Sequence, residues 1–301
     1  MPGESYRGTP PPLSAELAAV QDRLRGHVVM LASEIGERNQ AHYVGLERAR
    51  AYIAQQLEAA GYVVRHQPYV YGGRTFHNAE AVTAEPGGGA SVVIGAHYDS
   101  AEGSPGANDN ASGVAALIEL ARLLRDKPVK TPIRFVAFAN EEAPYFSTGE
   151  GMGSAEYVKR FPHAAERIRF MLSLETIGWY SDEPGSQRYP AGVGLFYPDR
   201  GNFIGFVANP ASRGLLRQLI GEFRRVATIP SEGAALPEFI PGIAWSDHRS
   251  FWRAGIPAVM VTDTALFRDP AYHTAADTAE RLDYEKMVRV VDGLAHAVSG
   301  R

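Results

Sequence analysis

His97 and Asp99 stand two residues apart at the end of the apolar run VVIGAHYDS, residues 92–100. Val92, Val93 and Ile94 have the β-branched character of a strand buried on both faces, and the glycines at 87–89 bound it. Residues two apart in an extended segment point to the same side. A metal-bound imidazole commonly donates its second N–H to a carboxylate, so His97 is a candidate ligand and Asp99 the candidate that orients it. Alone, the pair reads more simply as a strand-end histidine beside an acid.

Other apolar runs end the same way. IRFVAFA (133–139) leads into Glu141 and Glu142, and FMLSLE (170–175) ends in Glu175. AVMVTD (258–263) ends in Asp263 and leads into the loop that carries His273. Asp109 sits at the mouth of a helix, with Asn110 or Ser112 as its N-cap. In a mainly parallel sheet such strand ends lie along one edge, where open α/β sheets bind their ligands. The histidines and carboxylates gathered there suit a pair of borderline divalent ions such as zinc. A centre of that kind needs a carboxylate between the ions, terminal ligands on each, and an unligated acid to take a proton from water.

Each residue also has a plainer reading. Asp109 would be a helix-mouth acid favoured by the dipole, Glu141–Glu142 a pair of solvated loop charges, and His273 a solvated loop histidine. Glu175 is flanked by apolar residues, where an unpartnered carboxylate would be costly to bury, so a metal is its natural partner. Asp247 and His248 read as capping and bracing a short helix, and His27, His42, His66, His77, His163 and His296 as surface or packing residues.

The elements that must hold these groups follow from periodicity and punctuation. Residues 1–13 form a Pro-rich arm, Ser14 caps a helix to about Ile35, and a second helix spans Gly45–Ala60. Strands at 62–71 and 76–84 join through a turn at Gly72–Gly73, and a third covers 91–96. Val114, Leu117, Ile118, Ala121 and Leu124 share one face of a helix from about Ala111 to Asp126, stopped by Pro128. Further helices are expected near 153–160, 211–225, Ser246–Ala254 and Tyr284–Val298, with a short strand near 226–229. Residues 179–192 read as a polar insertion and 230–242 as a Pro-rich loop. Strands alternating with helices predict a three-layer α/β/α domain with a mostly parallel, mixed central sheet. The chain then forms a single domain over 1–301, with a helical lead-in at 14–60 and the site core at about 90–300.

Composition narrows the chemistry. The chain has 301 residues, a formal charge of −4 and no long basic run, so neither nucleic acid nor an anionic membrane is an expected partner. Cysteine is absent, which removes thiolate ligands, disulfides and cysteine nucleophiles together. The start, MPGESYRGTPPPLS, has no basic stretch followed by an apolar one, so a cytoplasmic location is expected unless a leader has been removed.

With these residues in view, GAHYDS (95–100), GANDNASGVAALIELA (106–121), FANEEA (138–143), LSLETIG (172–178), SDHRSFWRAGIPAVMVTDT (246–264) and YHTAADT (272–278) resemble the two-zinc aminopeptidases of metallopeptidase family M28. The resemblance is ordered and covers roughly 90–300. It implies a zinc-exopeptidase-like fold, a peptide substrate and two zinc ions, with manganese or cobalt accepted by the same donors. It implies that Asp109 bridges the ions, that His97 and Glu175 complete one, and that Glu142 and His273 complete the other. Glu141 is then the general base, Asp99 orients His97, and the Asp109–Asn110 peptide bond is cis.

Two departures from the family pattern stand out. Relatives that carry a tyrosine near the scissile carbonyl, with a nearby disulfide, have Ile243 and no cysteine here, leaving Tyr272 or Tyr145 as candidate helpers. The loop 143–157 is also long, so Phe146 and Met152 are expected to shape the pocket for the first side chain. Competing readings are a single-zinc glutaminyl cyclase and a non-catalytic, peptidase-like binding domain. Cyclases of that group resemble DDH and carry a Trp shortly before the last histidine, whereas this chain has SDH and AYH. Non-catalytic relatives have lost ligands, and this chain lacks none.

Overall fold

Apolar runs of strand length supply the strands of one mixed sheet. A computed structural model describes residues 1–83, 89–161 and 167–299. Its strands are β1 (Arg65–Tyr71), β2 (Arg74–Val82), β3 (Ser91–His97), β4 (Ile133–Phe138), β5 (Ile168–Glu175), β6 (Ile204–Ala208), β7 (Ser231–Ala235) and β8 (Ala258–Thr262). They lie in the order β1-β2-β4-β3-β5-β8-β6-β7. The central strands β4, β3, β5 and β8 are mutually parallel, so His97, Phe138, Glu175 and Thr262 all end at one rim. The β1–β2 hairpin joins β4 antiparallel, β6 joins β8 antiparallel, and β7 runs parallel to β6. β3 and β8 are buried along their whole length, as expected of strands covered on both faces.

Helices α1 (Ala15–Val28), α2 (Tyr43–Ala59), α3 (Gly113–Leu124), α4 (Gly153–Lys159), α5 (Arg213–Phe223), α6 (His248–Arg253) and α7 (Tyr284–Ser299) form the outer layers. α3 packs on β3, β4 and β5 with α1 and α7 behind it, while α4 and α6 pack together against the opposite face. There the rings of Tyr157 and Phe251 meet Phe138 of β4. No helix among the described residues is long and apolar enough to cross a membrane.

Ser14 caps α1, its hydroxyl accepting the Leu17 N–H at 3.2 Å. α1 ends at Val28, and residues 29–35 continue as a wider-wound turn that Gly36 closes at a φ of 78°. Two expectations fail in the second half. Residues 226–229 are not a strand; the strand is β7, inside the stretch expected to be a Pro-rich loop, and β6 was not anticipated. SEGAA lacks the apolar alternation that marks a strand, because its neighbours demand small residues: a Cβ at Gly233 would meet Met1 at 2.9 Å and Ile220 at 3.1 Å. The Pro-rich arm is seated along the fold, with Ser5 accepting the Ser231 N–H and the Pro11 carbonyl accepting from Arg289.

Of the histidines read as packing or surface residues, His27 is buried against Tyr52 and Glu119, His42 and His77 lie beside Glu37 and Glu47, His66 lies edge-on to His77, and His296 is exposed. His163 lies outside the described residues.

Candidate metal centre

The rim of the parallel strands collects side chains from five separate parts of the chain. His97 ends β3, Glu141 and Glu142 follow β4, and Glu175 ends β5. Asp109 comes from the turn before α3, and His273 from the loop after β8. His97 Nε2 lies 3.2 Å from Asp109 Oδ1 and 3.3 Å from Glu175 Oε2. His273 Nε2 lies 2.9 Å from Asp109 Oδ2 and 3.3 Å from Glu142 Oε2. Two donor triads result, His97–Asp109–Glu175 and Asp109–Glu142–His273, and Asp109 offers one oxygen to each. Glu141 stands outside both, its Oε2 4.0 Å from His97 Nε2.

The donor set fits a pair of divalent cations. His97 Nε2, Asp109 Oδ1 and Glu142 Oε1 are buried with no hydrogen-bond partner among the described residues, a costly arrangement unless a cation serves them. Imidazole nitrogens and carboxylate oxygens without sulfur are donors that zinc, manganese and cobalt accept. The electrostatics point the same way. Burial pushes the Glu141 carboxyl well above its ordinary range, with His97 opposing and Glu175 and Glu142 adding to the rise. Burial likewise raises Glu142 and Glu175. Burial also works against charge on Asp109, but hydrogen bonds from His273 and His97 prevail and hold its carboxyl below the usual range.

Backbone geometry sets the aim of these groups. The Asp109–Asn110 bond is cis, as the resemblance implied, and so is Ala143–Pro144. Asn140, Thr176, Thr264 and His273 adopt left-handed φ of 56°, 48°, 65° and 58°. Such conformations cost on the order of 1–3 kcal/mol each in a non-glycine residue. Three of them adjoin or are rim residues: Asn140 precedes Glu141, Thr176 follows Glu175, and the last is His273 itself.

A supporting layer holds the rim, and most of it escaped sequence reasoning. Asp99 lies 3.3 Å from His97 Nδ1, but its oxygens also accept the N–H groups of Glu141 at 3.0 Å and Glu142 at 3.1 Å. Asp277 accepts from the backbone of Asn108 at 2.8 Å and Asp109 at 3.1 Å. Ser246 donates to Glu175 Oε2 at 2.5 Å. The Asn110 side-chain oxygen accepts the N–H groups of Gly113 and Thr176, while its amide donates to the Leu174 carbonyl. Arg38, fully buried, donates to the carbonyls of Tyr98, Pro105 and Gly106. Ser246, Asp277 and Asn110 belong to motifs already quoted; Arg38 carried no local signal.

An apolar cleft opens beside Glu175. Ile243 and Tyr272 line it, and Tyr272 stacks on His273 with ring centres 3.8 Å apart. Phe146 reaches its edge only through the ring of Trp245, 6.1 Å away. Met152 does not line the cleft: its side chain is buried against Ser250 just ahead of α4. Tyr145 is a poor helper, because its hydroxyl donates to Gln40 Oε1 at 2.5 Å and it borders a polar cavity on the Glu142 side. His248 braces its loop through the Ile243 carbonyl at 2.7 Å, but the Asp247 side chain makes no cap bond to α6. Both Asp247 oxygens are buried without a hydrogen-bond partner among the described residues, and burial pushes the carboxyl up to about 7.

Comparison with known proteins agrees with this architecture. Residues 81–298 match the model of peptidase family M28. The chain is 39% identical over 285 residues to the uncharacterized protein YfbL of Escherichia coli (strain K12), covering 92% of this chain and 87% of that one. It is 29% identical over 222 residues to aminopeptidase YwaD of Bacillus subtilis (strain 168), covering 69% of this chain but only 40% of that relative. Among solved structures, BSAP, a zinc aminopeptidase from Bacillus subtilis, superposes with a TM-score of 0.71 at 16% identity, over 92% of this chain and 94% of that one. A glutaminyl cyclase from Tannerella forsythia gives 0.67 at 20% identity, over 93% and 98%. At these identities the structural likeness establishes the fold.

Proposed function

Because this chain belongs to peptidase family M28, we propose that it is a two-metal aminopeptidase that removes the first residue from peptides. The observation that carries the reading is the pair of donor triads sharing Asp109 at the mouth of an apolar cleft. In this reading His97, Asp109 and Glu175 hold one ion, and Asp109, Glu142 and His273 hold the other. Bound there, the ions, taken as zinc from the donor set and the structural neighbour BSAP, supply Lewis-acid polarisation of the substrate carbonyl and lower the pKa of water.

The chain's own groups supply the rest. Glu141 is buried beside the triads without belonging to either, so its carboxylate is free to take a proton from water and return it to the leaving amine. Burial and the neighbouring acids Glu175 and Glu142 raise its proton affinity, the direction that strengthens a carboxylate as a base. Asp99 fixes the Glu141 and Glu142 backbones, keeping base and ligand in register. Tyr272 lines the cleft next to His273, and burial keeps its phenol protonated as a donor toward the substrate carbonyl.

The test is turnover of Leu-anilide against cyclisation of Gln-anilide, with chelator and then zinc added back. Zinc-restored cleavage of Leu-anilide supports the aminopeptidase. Cyclisation of Gln-anilide without hydrolysis supports the cyclase, and inactivity on both with zinc bound supports a binding domain.

A further inference from the structure

The cleft beside the metal centre ends in a charge. Glu175 of β5, Thr262 of β8, Gly205 of β6 and Glu232 of β7 fall on one row across the sheet. Register partners present their side chains to the same face, and all four residues border the cleft. Glu175 closes the row at the metal end and Glu232 at the far edge, three strand spacings of roughly 4.8 Å away, or about 14 Å. Gly205 adds no side chain to the floor between them.

Glu232 makes no hydrogen bond or ion pair to any described residue. Burial pushes its carboxyl up, and the nearby cations Arg224, Arg7 and the N-terminal amine of Met1 only partly offset this. The Arg224 guanidinium is committed to the Ser231 hydroxyl and to the carbonyls of Ser231 and Gly3. Beside Glu232 the rings of Tyr189 and Tyr197 stack 5.8 Å apart and line the cleft. Their hydroxyls are spent on the carbonyls of Pro198 and Gly233, which leaves ring surface as what they offer. An apolar floor ending in a half-buried carboxylate and aromatic rings matches a long side chain with a cationic tip: the methylenes lie on the floor, and the head meets charge and π-surface.

We propose that Glu232 makes this cleft a site for a basic first residue, so that the preferred substrates are peptides beginning with arginine or lysine. The inference rests on the aminopeptidase reading for its reaction but not for its binding site. The experiment compares kcat/KM for Arg-, Lys-, Leu- and Met-anilides in the zinc-loaded protein and in Glu232→Gln. Calorimetric binding of argininamide and leucinamide to both proteins accompanies it and needs no turnover.

The wild type should favour Arg and Lys, and in E232Q the Arg-to-Leu ratio should fall roughly 10- to 100-fold, the range for losing a hydrogen bond to a charged group. A wild type without basic preference, or an Arg-to-Leu ratio unmoved by E232Q, overturns the proposal. If no anilide is cleaved but argininamide binds better than leucinamide only while Glu232 is present, the site stands and the aminopeptidase reading falls.

Discussion

Replacing Asp99 by Asn probes how the rim is built. The carboxylate accepts the N–H of Glu141 at 3.0 Å with Oδ1 and that of Glu142 at 3.1 Å with Oδ2. An amide of the same size keeps one acceptor atom, so one of these N–H groups must face an NH2. Asp99 is 1% exposed, so its oxygens are turned to these backbone groups rather than to bulk solvent. A hydrogen bond to a charged group is worth about 1.5–3 kcal/mol, and at roughly 1.4 kcal/mol per decade that is a 10- to 100-fold effect. Both acids move when their backbone is released, one a candidate ligand and the other the candidate base. Zinc affinity, measured by competition with a chromophoric chelator, should fall by that factor in D99N. The kcat/KM for Leu-anilide at saturating zinc should fall too, because Glu141 shares the anchor. Far-UV circular dichroism should not change. Wild-type zinc affinity together with wild-type turnover in D99N would refute the reasoning.

Other expectations follow from single contacts. Glu141→Gln should lower kcat by about 10²–10⁴-fold while leaving the bound metal count unchanged; loss of metal instead would make Glu141 a ligand. Gly113→Ala places a Cβ against the Asn110 side-chain oxygen and 2.6 Å from the Leu174 carbonyl. Overpacking of about 1–3 kcal/mol should outweigh the helix preference for Ala, so thermal denaturation should show a lower Tm and weaker zinc binding; a higher Tm would contradict the packing. The metal-free protein should lose stability as pH rises from about 4 to 7. Burial pushes Asp247 and Asp277 up to about 7, so the fold holds their protons more tightly than the unfolded chain does. The stability they contribute is present at low pH and is lost as pH climbs through those values. His97, raised above its ordinary value by its acidic neighbours despite burial, acts in the same direction, whereas Asp109, held low, matters only at more acid pH. Tm against pH with chelator should slope downward and flatten with zinc; an upward slope in chelator would contradict the assignment.

The site was largely legible because chemistry and strand ends coincide. His97, Glu142 and Glu175 each end or follow an apolar run, and parallel pairing brings those ends to one rim. His273 had no such run, and only its neighbours in YHTAADT marked it. The supporting contacts were hidden because they join a side chain to a distant backbone: Asp277 meets the N–H of Asp109 across 168 positions, and Arg38 meets the Tyr98 carbonyl across 60. No residue-type pattern encodes a backbone partner. β7 escapes pattern reading for a packing reason, since Gly233 must be small against Ile220 and the strand therefore carries little apolar signal, whereas β6 is apolar and buried but only five residues long. The cleft floor and Glu232 depend on the register of those two strands, so they were out of reach as well.

The most direct test of the two-ion centre is the zinc content of the purified protein and of two variants, by elemental analysis after dialysis. The account predicts two zinc ions per chain in the wild type, one in Glu142→Gln, and neither held in Asp109→Asn, whose side chain serves both triads. At most one ion in the wild type, or two retained by Asp109→Asn, would contradict it.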